Sequence, residues 1–97
     1  WGWHLMRCLS IKALHAMLLQ LSVEHIYKPL VNGYQIIIDN HNARVYIVEY
    51  FGLYGNEEDN LEVWNFTSEP PVIELNRYMG IHECLDFLDK KGFLAKL

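Results

Sequence analysis

The sequence predicts an α+β fold: an antiparallel meander of three to four strands flanked by an N-terminal and a C-terminal helix, in α-β-β-β-α order, with both helices on one sheet face. Three observations lead there. Leu14, Met17, Leu18 and Leu21 recur at i, i+3, i+4 and i+7, the spacing of one helix face. The stretch Gly33–Gly52, GYQIIIDNHNARVYIVEYFG, holds two runs of Tyr, Ile and Val on either side of Asn40-His41-Asn42, which reads as a hairpin. Ile81, Cys84, Leu85 and Leu88 mark a second helix face near the C-terminus. The 97 residues give room for one domain, 1–97, and one modest core.

Taken in order, residues from about His4 to Ser22 read as the first helix. Leu5, Leu9, Ala13 and Ala16 widen its apolar stripe, and Ile11 and Leu19 fall elsewhere on the wheel. A helix apolar nearly all round is buried on more than one side. The surplus predicts a homodimer through helix 1, or a partner groove. If Met6 is a native start, Trp1–Leu5 would be a leader. Val23–Val31 reads as an extended edge segment ending at Asn32-Gly33, a strong two-residue hairpin signal; Pro29 confines such a strand to an edge.

The hairpin strands are Tyr34–Asp39 and Ala43–Phe51. With Asn40–Asn42 as the turn, Asp39 pairs with Ala43, Ile37 with Val45 and Gln35 with Ile47. Leu53–Asn60 is a loop with an acidic cluster, and Leu61–Phe66 is the next strand. Ser68-Glu69-Pro70-Pro71 reads as a rigid extended connector. Val72–Leu75 is either a short strand or coil. Ile81–Lys91 is the second helix, with Glu83 and Asp86 early and Lys90 and Lys91 late, matching the helix dipole. Gly92 suits the C′ position, and Phe93 can fold back behind it.

About half of the residues are apolar (52%) and a fifth charged (21%), a globular composition. A net charge of −4 argues against broad phosphate-backbone binding. The apolar run Ala13–Val23 is too short to span a bilayer, so no membrane is expected. Cys8 and Cys84 form no CxxC pair and read as buried, reduced thiols of a cytoplasmic protein; a disulfide between the two helices is the alternative. Asn65-Phe66-Thr67 matches the glycosylation triplet but lies in a strand.

Two carboxylates invite a catalytic reading. The string from Ile37-Ile38-Asp39 to Val48-Glu49-Tyr50-Phe51-Gly52 resembles the core of the PD-(D/E)XK nuclease superfamily, including branches that end the Glu strand with E-x-x-G. That resemblance implies a divalent metal held by Asp39 and Glu49. Ile38 stands where the motif has Pro, and Phe51 where it has Lys. The predicted register also puts the two carboxylates roughly 20 Å apart. Glu49 shares a strand face with Ala43, Val45, Ile47 and Phe51, so it is either desolvated or placed where the row reaches water; the second is expected.

Other sites are weaker. His4, Cys8, His82 and Cys84 can be drawn as a metal site but fit no zinc spacing, so neither metal nor cofactor is expected. The helix–meander–helix order resembles the double-stranded RNA-binding domain, yet the second helix starts Ile81-His82-Glu83 without the basic residues that fold uses. No phosphate-binding Gly loop or nucleophile motif occurs.

The sequence thus reads as a small, acidic, non-enzymatic interaction or regulatory module. It would act as an inhibitor or immunity-type protein on a nucleic-acid-binding protein partner, with a basic surface as the complement. The alternative is a metal-dependent nuclease, or a degenerate relative, using Asp39 and Glu49. The expected contact surface combines Arg44, Tyr46, Tyr50 and Trp64 with Glu57, Glu58 and Asp59. The competing reading of the aromatic row is core, covered by the helices.

Overall fold

A computed structural model describes residues 8–51 and 60–94; Trp1–Leu5 lie outside the described residues. The elements are α1 (Leu9–Gln20), β1 (Ile26–Leu30), β2 (Gly33–Asn40), β3 (Ala43–Tyr50), β4 (Leu61–Ser68), β5 (Pro71–Met79) and α2 (Ile81–Lys90). The fold is α+β, an N-terminal helix, a five-stranded antiparallel meander in the order β1-β2-β3-β4-β5, and a C-terminal helix, with the helices against the sheet.

Five strands replace the expected three to four. Val23–Val31 does contain an edge strand, β1, and Pro29 sits in it as an edge residue can. The extra strand comes from Ser68–Pro71, which is a tight turn and not an extended connector. Ser68 pairs with Pro71, the Glu69–Pro70 peptide is cis, and the Thr67 hydroxyl donates to the Pro70 carbonyl at 3.1 Å. The chain reverses there, and β5 runs on to Met79. One extra residue of β5 bulges between the Leu61–Met79 and Val63–Asn76 pairs, with Tyr78 at φ 59°.

The β2–β3 register differs from expectation by one residue. The loop is the two-residue His41-Asn42, so Asn40 pairs with Ala43, Asp39 with Arg44, Ile38 with Val45 and Ile36 with Ile47. A one-residue slip moves every β2 side chain to the other face. Ile36 and Ile38 therefore join Val45 and Ile47, whereas the expected register would have put Gln35 in that apolar row. With three isoleucines in succession, the alternation that fixes register is missing from the middle of β2.

Ile36, Ile38, Val45, Ile47, Leu61, Val63 and Met79 pack with Ile11, Leu14 and Leu18 of α1 and Cys84 and Leu88 of α2 in one core. Both helices end alike. Phe93 N–H donates to Leu88 O and Gly92 N–H to Asp89 O, with Gly92 at φ 86°. Val23 N–H donates to Leu18 O and Ser22 N–H to Leu19 O, with Ser22 at φ 59°. These are two Schellman stops, one on the favoured glycine and one on a serine.

The helix starts differ. Glu83 reaches back to the Gly80 N–H at 3.4 Å, half of a capping box. At α1 the N-cap is Cys8, whose side chain caps nothing, and the first turn holds no acid.

Candidate functional site

Strand alternation sorts the predicted residues onto two faces. On the core face lie Tyr27, Tyr34, Ile36, Val45, Ile47 and Glu49. On the opposite face Ile37 stands beside Tyr46 and Tyr46 beside Trp64, with Trp64 next to Leu75 and Phe66 next to Ile73. Arg44 and Tyr50 share that face. The structure thus brings Arg44, Tyr46 and Trp64 together; Tyr50 stands further along β3, beside Gly33. Glu57, Glu58 and Asp59 lie outside the described residues.

The centre of this face is aromatic. The Tyr46 ring meets Phe66 edge-on at 5.4 Å, and Trp64 lies nearly parallel to Phe66 at 6.4 Å. Ile73 and Leu75 extend it on the free edge, 62% and 37% exposed. Its charges are mostly paired. Arg44 donates through Nε and Nη2 to both Asp39 oxygens at 2.6 and 3.0 Å, and through Nη1 to the Tyr46 hydroxyl at 3.3 Å. Hydrogen bonding from Arg44 holds the Asp39 carboxyl below the usual carboxylate range. Glu62 accepts from Trp64 Nε1 at 2.8 Å and pairs with Arg77 at 3.6 Å. The aromatic plane is therefore flanked by two ion pairs. Sequence reasoning missed Phe66, Ile73 and Leu75, since the last two gain their place only from β5.

Glu49 is not at a watery strand end. It is 1% exposed, and its Oε1 accepts the Ile11 N–H at 2.9 Å. Ile11 is the third residue of α1, so Glu49 caps that helix from a strand 38 residues away. The Cys8 thiol, in turn, lies 3.5 Å from the Glu49 backbone carbonyl. A buried carboxylate is satisfied here by the helix terminus, which no local spacing announces.

Asp39 and Glu49 are not brought together. Asp39 sits opposite Arg44, five residues from Glu49 along β3, which is about 17 Å. The two side chains also project from opposite faces. One metal ion cannot bridge them. Among the described residues no three His, Cys, Asp or Glu side chains converge as metal ligands. Cys8 and Cys84 are both buried and are not joined in a disulfide, and burial pushes Cys84 up to about 12. Asn65 is buried on the core face, out of reach of a glycan.

A second polar cluster, unmarked by any motif, joins α1 to β1. His15 Nδ1 and His25 Nε2 are 2.8 Å apart, and His25 Nδ1 is 2.7 Å from the Val23 carbonyl oxygen. His15 stacks on Tyr27 at 3.9 Å, Tyr27 on Tyr34 at 5.4 Å, and Lys12 lies over the Tyr34 ring. No described helix is long and apolar enough to cross a membrane. Comparison with protein-family models, curated proteins and solved structures finds no match to this chain.

Proposed function

We propose that this chain is a small, acidic, non-enzymatic interaction module whose contact surface is the sheet face opposite the core. The observation that carries this reading is the aromatic and aliphatic plane Tyr46–Trp64–Phe66–Ile73–Leu75, with Arg44 at its margin. Aromatic residues and Arg are the usual interface anchors, and a neutral centre ringed by ion pairs suits a protein partner better than a phosphate backbone. The single core shared by both helices supports their placement on one sheet face, which leaves the other to a partner. The net charge of −4 favours a basic surface on that partner. Such a module fits a cytoplasmic inhibitor or immunity-type protein acting on a nucleic-acid-binding protein. On α1 a separate stripe, Leu9 and Leu19, is exposed and supports a second copy as an additional contact.

The test places a photo-crosslinking residue at Ile73 or, as a control, at His82 on α2. On this reading, a single protein from the source organism crosslinks at Ile73 and not at His82, and Trp64→Ala abolishes it. Equal crosslinking at both positions, or capture unaffected by Trp64→Ala in a folded variant, overturns the reading. So does Mg²⁺- or Mn²⁺-dependent cleavage of plasmid or single-stranded DNA that Asp39→Asn removes. Sedimentation at micromolar concentration tests the second copy; a clean monomer refutes it.

A further inference from the structure

We propose that the His15–His25 pair is an acid-sensitive latch: it holds edge strand β1 against α1 when it carries at most one added proton, and opens that seam when both imidazoles are protonated. The hydrogen bonds assign the protons. The Val23 oxygen can only accept, so His25 Nδ1 carries a hydrogen. Neutral His25 then offers Nε2 as an acceptor, and His15 Nδ1 at 2.8 Å must donate to it. His15 Nε2 is left bare. One added proton can settle there without breaking either bond. One hydrogen then lies between His15 Nδ1 and His25 Nε2, whichever ring carries the charge; a second added proton would have to enter the same 2.8 Å gap, setting two N–H groups head to head on two cationic rings.

The neighbouring groups do not relieve this. On α1, Lys12 lies one turn back and is positive, over the Tyr34 ring. On β1 and β2 the facing groups are the phenols Tyr27 and Tyr34. Burial raises the Tyr27 pKa, with Tyr34 adding to it, so no phenolate forms near neutrality. In the cleft beside His25 stand Glu24 and Asp39, and Asp39 is already engaged by Arg44. Glu24 can favour the first proton on the pair but cannot supply a second acceptor nitrogen.

The sign follows from the ring positions. Burial lowers the His15 pKa, and positive charge on His25 lowers it further. The open seam can hold one proton more than the closed seam, whose 2.8 Å gap takes a single hydrogen, and a free imidazole takes up its proton near pH 6.5. The closed seam is therefore fully favoured above about pH 6.5, and that preference is lost as pH falls through the lowered closed-state value. One proton of difference makes the open population rise about tenfold per pH unit in that window. What opens is the least secured part of the sheet: β1 pairs with β2 alone, over five residues, and Pro29 donates no N–H. The latch is independent of the contact face proposed above.

Amide hydrogen exchange at pH 7.5, 6.5, 5.5 and 4.5, corrected for intrinsic rates, tests this on the whole chain. The expected result is that β1 amides lose protection by about tenfold per unit below pH 6.5, while β3 and β4 amides keep theirs. His15→Gln, whose amide can still donate to His25 Nε2, should flatten the β1 profile. Imidazole ¹⁵N shifts at pH 7.5 should show hydrogen on both Nδ1 atoms. Flat β1 protection in the wild type, parallel loss in β3 and β4, an unchanged slope in folded His15→Gln, or hydrogen on His15 Nε2 in place of Nδ1 overturns the proposal.

Discussion

Replacing Glu49 separates its two conceivable roles. As a cap, it presents one buried oxygen to the Ile11 N–H at 2.9 Å and a negative charge to the start of a helix with no acid of its own. Glu49→Ala leaves that N–H buried without its acceptor and opens a cavity in the core face. The lost hydrogen bond to a charged group and the cavity together cost about 3 kcal/mol. Glu49→Gln keeps an oxygen for Ile11 and loses the charge beside the helix terminus, about 1 kcal/mol. Glu49→Leu fills the space without an acceptor and should fall close to alanine. Urea unfolding reads this directly: with a slope of about 1–1.5 kcal/mol per M, alanine moves the midpoint down by about 2–3 M and glutamine by under 1 M. Exchange should show the first-turn amides of α1 losing protection before those of α2. If alanine costs under about 0.5 kcal/mol, or leucine matches the wild type, the capping role is refuted.

Four further outcomes are expected. Ser22→Gly relieves a left-handed backbone at the α1 stop and should stabilise by about 0.5–1 kcal/mol, seen as a higher urea midpoint. Gly33→Ala should destabilise by about 2 kcal/mol or more in the same assay, because a Cβ there would overlap the Glu49 carbonyl oxygen, which is backbone and cannot swing aside. Cys84, buried with its thiol pushed up to about 12, has a thiolate fraction of about 10⁻⁴ at pH 8 and should resist alkylation until the chain unfolds. The Asp39 carboxyl should titrate below the ordinary carboxylate range by NMR and return to it in Arg44→Ala. The stabilisation from that pair is present above the unfolded carboxylate pKa and lost as pH falls through the lowered folded value.

The local signals carried the parts of the fold that are local. The Ile81–Lys90 periodicity, its Glu83 and Gly92 ends, and the β2–β3 hairpin were readable because spacing and turn chemistry sit within a few residues of each other. The register was not, since Ile36-Ile37-Ile38 suits either face and only the packed helices choose between them. Strand β5 was legible only in part, as a short strand or coil over Val72–Leu75, because Pro70-Pro71 reads as extended spacer until the turn is seen. The aromatic row was legible as Arg44, Tyr46 and Trp64, but its face depended on which neighbouring row the helices covered. Glu49 was singled out for the right oddity, an acid in an aliphatic row, with the wrong resolution. Its partner is a backbone N–H far away in sequence, and a main-chain donor leaves no mark on composition. The His15–His25 contact is hidden in the same way, by the turn that brings β1 back along α1.

The Glu49 cap also acts as a check on strand alignment. The middle of β2 tolerates a slip, yet a slip of one residue in β3 would turn Glu49 outward and present Val48 or Tyr50 to the start of α1. Neither side chain suits that place: valine accepts nothing, and tyrosine is too large. Since α1 lacks a cap of its own, it is fully secured only when β3 lies in one alignment. A helix made in the first twenty residues thus reports, through one carboxylate, whether the sheet that follows has been assembled in register.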